Sequence, residues 1–120
     1  MGIRNISDNI ILVTVPTERL KRTDELKNLN EAIGENPKCD VIIDFAGVEI
    51  INSWNISNLL ILKDIMEKAG RKLVLCSANT PTKCIFVVAG LSETFVFADT
   101  QSAALDIIRQ TNSPVTANPS

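Results

Sequence analysis

The chain contains no histidine, and this removes much of the proton-transfer chemistry that an enzyme of its size would draw on. A cysteine nucleophile would have no imidazole base beside it. A structural zinc site would have to be assembled from three thiolates and a carboxylate, which is a poor prospect. The cysteines themselves are few: Cys39, Cys76 and Cys84, an odd number with no C-x-x-C spacing. Their expected state is that of buried, inert thiols in a reducing compartment. Glycine is sparse as well. Gly47 and Gly90 each stand alone, so no glycine-rich loop is present to cradle a phosphate. No basic block occurs, only isolated pairs such as Lys21-Arg22 and Arg71-Lys72. With a net charge of −2 this argues against nucleic acid and anionic membrane as partners. Apolar runs such as Leu59–Leu62 are far too short to span a bilayer. Residues Met1–Ser7 have neither the apolar segment nor the cleavage site of a signal peptide. The expectation is a soluble cytoplasmic protein with no enzymatic activity, no metal and no cofactor.

What is present is a chain of 120 residues, 45% of them hydrophobic, which is enough for one domain with a real core. Ile10 to Val15 is β-branched and stops at Pro16, as a strand should. Leu20 to Ile33 carries Leu26, Leu29 and Ile33 at helical spacing, with Gly34 as the helix stop. Asn36-Pro37 marks a turn. Cys39 to Phe45 reads as a buried central strand because Val41, Ile42 and Ile43 are consecutive and apolar. The next helix starts after Ser53, presents Leu59, Leu62, Ile65, Met66 and Ala69 on one face, and ends at Gly70. Leu73–Cys76 is a further apolar strand. A helix capped by Asn79 or Thr80, with Pro81 in its first turn, runs to Gly90. Phe95–Phe97 is a short strand, and Thr100 caps a last helix through Ile108. The regular part covers residues 1–110. Residues 111–120, with two prolines, are expected to form a flexible tail.

Strands separated by helices require crossover connections and so a mostly parallel sheet. The fold class predicted is α/β: one domain, a mostly parallel sheet of four to five strands, and about four helices. The strand at Ile10–Val15 lies outside the alternation and is expected antiparallel at an edge.

Two carboxylates lie near strand ends, Asp44 and Glu49, and their expected role is solubility or turn hydrogen bonding. Ser53 stands out because it lies where an apolar strand, a short loop and a long helix meet. A hydroxyl at a helix N-terminus can cap the helix. It can also accept a phosphate, since free N–H groups and the helix dipole favour negative charge there. Around it, Trp54, Ile56 and Leu60 beside the amides of Asn55 and Asn58 would make an apolar patch with a polar rim, a fair protein-docking surface. Ser57, one turn on, is a second hydroxyl, expected to bond a backbone carbonyl or face water.

This order of elements and the strand–loop–serine–helix junction resemble the STAS domain, in particular the bacterial anti-sigma factor antagonists. Ile43-Asp44-Phe45 matches the family's strand end, and Val48 to Ile51 its loop. Asn52 takes the place of an Asp, Ser53 that of the phosphoacceptor serine, Trp54 that of a Ser or Thr, and Asn55 that of a Gly. Gly70–Leu75, Pro81, Gly90-Leu91, Phe97, Thr100 and Ala104-Leu105 also fall where the family places such residues. The resemblance covers roughly Ile10 to Ile108. It implies a switch. The unphosphorylated protein binds an anti-sigma factor that is also a serine kinase, phosphorylation of Ser53 ends the complex, and a phosphatase resets it. Asn52, Trp54, Asn55, Ile56 and Ser57 would be the partner-binding residues, and weak self-association through the same surface is conceivable on these residues. The departures are physical: Asn52 keeps hydrogen-bonding capacity without the charge, Trp54 adds bulk, and Asn55 replaces a residue with no side chain. They motivate one alternative, a scaffold that binds partners without phosphorylation, and the resemblance itself implies another, a small-molecule (nucleotide) sensor. For the latter, the helix N-termini alone would have to hold the ligand's phosphates.

Overall fold

In the computed structural model, which describes residues 2–15, 29–31, 33–34, 37–48 and 53–111, five strands make one sheet ordered as in the sequence. They are β1 (Gly2–Ser7), β2 (Ile10–Thr14), β3 (Asp40–Asp44), β4 (Leu73–Cys76) and β5 (Val96–Ala98). β2 to β5 are parallel, with Leu12 opposite Ile42, Ile42 opposite Val74 and Val74 opposite Val96. β1 alone is antiparallel, pairing Ile3 with Val13 and shifting register between Asn5 and Ser7.

The expected antiparallel edge at Ile10–Val15 is therefore corrected. That strand is internal and parallel to β3, and the antiparallel edge belongs to Gly2–Ser7. The reason is visible in the side chains. Ile3, Arg4 and Asn5 are exposed, so this strand buries too little apolar surface to leave a hydrophobic pattern. The short last strand also starts one residue later than Phe95–Phe97 implied.

Three delimited helices connect or close the sheet: α1 (Ser53–Lys68), α2 (Thr80–Val88) and α3 (Gln101–Thr111). Backbone at 29–31 and 33 is helical too, giving four helical segments among the described residues. The rest of the expected helix at 20–33, the stop at Pro16, the turn at Asn36 and the tail from 112 onward lie outside the described residues. Thr111, assigned to that tail, is the last residue of α3.

Alternation along the strands divides the core in two. Val41, Ile43 and Phe45 face one side, where Leu59, Leu62 and Met66 of α1 and Phe86 of α2 cover them. Ile42, Val74, Cys76 and Ala98 face the other, under Ala104 and Ile108 of α3. Phe86 meets the edges of Phe95 and Phe97 at ring separations of 5.4 and 5.2 Å. Each such pair contributes about 0.5–1.5 kcal/mol beyond its buried area.

The helix ends follow the sequence. Asn79 caps α2, its side-chain oxygen accepting from the Thr82 N–H at 2.9 Å. Thr100 Oγ1 accepts from Ala103 N–H at 3.0 Å and caps α3. α1 and α2 stop alike. Gly70 and Gly90 have φ of +72° and +75°, and the residue after each donates back to the helix, Arg71 to Met66 at 2.8 Å and Leu91 to Phe86 at 2.7 Å. A left-handed residue closes both helices, and glycine occupies it without the steric cost of a Cβ. Among the described residues no helix is long and apolar enough to cross a membrane.

Candidate functional site

The carboxyl ends of parallel strands are where loops leave the sheet, and here the loop from β3 leads to α1. Asp44 controls its exit. Its Oδ1 accepts from the Ala46 N–H at 2.8 Å, turning the chain, and its Oδ2 accepts from Gln101 Nε2 at 2.5 Å. The carboxylate is only 5% exposed. Three further bonds hold the loop: the Phe45 N–H donates to Cys76 O at 2.9 Å, the Val48 N–H to Phe45 O at 2.9 Å, and Asn79 Nδ2 to Val48 O at 3.1 Å. The loop as far as Val48 is thus tied to β4, to the cap of α2 and to the first residue of α3. The turn-bonding role expected of Asp44 is what the geometry shows. Gln101, the partner of Asp44, and Asn79, the partner of Val48, were not anticipated as part of this junction. Asn79 carried only a capping signal, and Gln101, 57 residues from Asp44, carried none.

Helix α1 begins at Ser53, and its first turn holds no acidic residue. The positive end of the helix dipole is therefore not offset by a side chain of its own first turn. Asn52, and the side chains of Ser53 and Trp54, lie outside the described part, so the roles expected of them are taken up below as proposals. The other candidates separate by face. Asn55 is 1% exposed and Ile56 is 8% exposed, and Ile56 packs in the core with Leu59. Asn58 is buried too, and its carbonyl accepts from Asn30 Nδ2 at 2.9 Å. The expectation that Asn55 and Ile56 present their side chains to a partner is corrected on this point. A helix lying flat on a sheet turns a stripe of positions three and four apart inward, and 55, 56, 59, 62 and 66 make that stripe. What the helix shows to solvent is Ser57, Leu60 at 36% and Ile61 at 52%, followed by Asp64. Among the described residues the apolar part of that surface is carried by Leu60, as expected, and by Ile61, which was not anticipated.

The thiols follow the same logic of depth. Cys76 is buried in β4, and burial pushes its thiol above the ordinary value. The neighbouring Asp44 carboxylate adds to this, and a hydrogen bond with Ser77 opposes it. Such a thiol is a poor nucleophile. Cys84, expected to be buried, is exposed on α2, because the inward positions of that helix are Thr82 and Phe86. Ser77, just after β4, has φ of +62°, an uncommon conformation for a residue with a Cβ. It turns the chain toward the Asn79 cap. Among the described residues no cluster of three or more metal-ligating side chains occurs.

Comparison with solved structures finds the same architecture repeatedly. An anti-sigma-factor antagonist (STAS) domain protein from Planctomyces limnophilus superposes with a TM-score of 0.75 at 19% identity, covering 88% of this chain and 97% of that one. A serine-to-glutamate variant of RsbS from Moorella thermoacetica gives 0.74 at 16% identity, with 92% and 95% covered. The anti-sigma factor antagonist SpoIIAA in its unphosphorylated form gives 0.71 at 14% identity, with 91% and 96% covered. At such identities the likeness is one of fold. A comparison with the curated proteins finds no match. The family model of the STAS domain matches residues 9–104, from the last residue before β2 into the first turns of α3. Five-stranded sheet, helix placement and matched span agree, and the chain belongs to the STAS domain family.

Proposed function

We propose that this chain is an antagonist-type regulatory protein that docks an anti-sigma factor serine kinase and is released when Ser53 is phosphorylated. The observation that carries the reading is the position of Ser53 as the first residue of α1, at the end of a loop bonded to three neighbouring elements. The exposed ridge of Ser57, Leu60 and Ile61 continues from it along the helix. The likeness to SpoIIAA, whose unphosphorylated form is a distinct species, and to the STAS protein of Planctomyces limnophilus supports the same reading.

The physics of the switch is local. A phosphate adds about −1.5 to −2 charges. A helix start with no acidic residue in its first turn tolerates that charge, so the fold persists. A partner surface matched to a hydroxyl and to apolar Leu60 and Ile61 does not tolerate it, and the interface separates. The protein acts as a binding module, without catalysis of its own. Its setting on this reading is the cytoplasm, with a phosphatase to restore the hydroxyl.

The departure of Asn52-Ser53-Trp54-Asn55 from the family's phosphosite motif favours one second reading, a STAS scaffold that binds its partner constitutively. One experiment separates the two. The protein is captured with its bound partner from the native host, and its intact mass and modified peptide are mapped. Phosphate on Ser53, together with about tenfold or weaker binding of Ser53→Asp to the captured partner, supports the switch. Equal binding by Ser53→Asp and wild type sinks it and leaves the scaffold.

A further inference from the structure

We propose that a cleft at the amino-terminal ends of β4 and β5 binds a medium-chain monocarboxylate, an anion with a flexible apolar tail. The cleft encloses about 260 Å³ between the last turns of α1, the starts of the two strands and the outer part of α3. Met66, Leu73, Val96 and Ile107 give it an apolar floor. Val96 is 48% exposed on β5, the edge strand of the sheet, so its side chain is accessible to a ligand.

The charge at the mouth defines the head group. Lys63 and Glu67 both line the cleft, but they pair with each other at 2.5 Å along the helix. The carboxylate at the rim is thus already matched. Arg71 and Lys72 also line it, and among the described residues neither side chain is paired with a carboxylate. Both are held by their backbones. The Arg71 N–H donates to Met66 O at 2.8 Å and the Lys72 N–H to Asp40 Oδ1 at 2.9 Å. Arg71 is also partly buried as a residue. A guanidinium fork on a fixed backbone matches a planar carboxylate, and the adjacent ammonium adds a second positive charge.

Size and lining define the tail. At roughly 30 Å³ per water the space equals about nine waters, which suits a chain of on the order of eight to ten carbons and excludes a dinucleotide. The floor offers little to hydrogen-bond a base or a ribose, since Thr94 is its one neutral polar side chain. The site is independent of the proposed switch. α1 runs from Ser53 at one end of the sheet to Met66 at the other, about 20 Å along its axis at 1.5 Å per residue.

The test is a titration of the full chain with octanoate below its micelle concentration, followed through backbone amide shifts, with 1-octanol as the neutral control. Saturable shifts at Leu73, Val74, Val96 and Ile107, with about tenfold weaker binding of the alcohol, are expected. Arg71→Gln should bring octanoate down to the level of the alcohol, and Val96→Asp, at an exposed position, should abolish binding. Non-saturating shifts across the surface, shifts centred on the start of α1, equal binding of acid and alcohol, or wild-type affinity in either variant that keeps the folded spectrum would overturn the proposal.

Discussion

Asp44 shows how one side chain can set the path of a loop. Each oxygen of this buried carboxylate has its own donor, the Ala46 N–H and the Gln101 amide. Asp44→Ala is expected to lower stability by about 2 kcal/mol, read from the midpoint of urea denaturation. Asp44→Asn, which keeps one acceptor, should cost clearly less. Cys76, across the ladder from Asp44, gives a pH signature. Its folded-state pKa is raised above 9.0, so the neutral thiol stabilises the fold fully below that pH. The stabilisation is lost as pH rises through 9 and beyond, because only the unfolded chain ionises freely. Between pH 8 and 11 the wild type should therefore lose melting temperature more steeply than Cys76→Val, which has nothing to ionise at that position. The turn role of Asp44 was legible in the sequence, since a carboxylate after an apolar strand and before a glycine belongs to a turn. Gln101 was not, because a polar residue in the first turn of a helix is ordinary until the sheet brings it against Asp44.

Helix α1 has two faces with different consequences. Its inward stripe carries Ile56, Leu59, Leu62 and Met66, and its outward ridge carries Leu60 and Ile61. Ile56→Ala should destabilise by about 2–4 kcal/mol through the cavity it leaves. A Leu60→Asp, Ile61→Asp double variant should remain within about 1 kcal/mol of wild type by urea denaturation. The same double variant should lose capture of the docking partner, and retained capture would place the interface elsewhere. The helix was legible from its apolar periodicity and from Gly70, but the exact stripe was not. Ile56 and Leu60 are both apolar and four apart, and only the angle at which the helix meets the sheet puts one inside and the other out. The two ends of the sheet differ in the same way. β4 was readable residue by residue because Val74, Leu75 and Cys76 are buried, so both faces of the strand are apolar. β1 was missed because exposed Ile3, Arg4 and Asn5 carry no burial pattern.

At the scale of the whole molecule, the described helices cover the two faces of the sheet unequally. Among the described residues, α1, α2 and the helical backbone at 29–31 and 33 share one face, while α3 packs on the other. Ile42, Val74, Cys76 and Ala98 depend on Ala104 and Ile108 for cover. A chain ending at Thr100 would expose that surface, and it is expected to bind a hydrophobic dye and to lose the cooperative unfolding of the full chain. Sheet order is the other global property. Each strand pairs only with its neighbours in sequence, so position in the sheet repeats position in the chain. A chain emerging from the ribosome can therefore lay the sheet down edge by edge, each new strand meeting a free edge already in place, with no slot left for a later strand to enter. The cost falls at the end of synthesis. Until Gln101–Thr111 has been made, a finished sheet waits with Ile42, Val74, Cys76 and Ala98 lacking the cover of Ala104 and Ile108, and in that interval the nascent chain offers a chaperone an oily surface to hold.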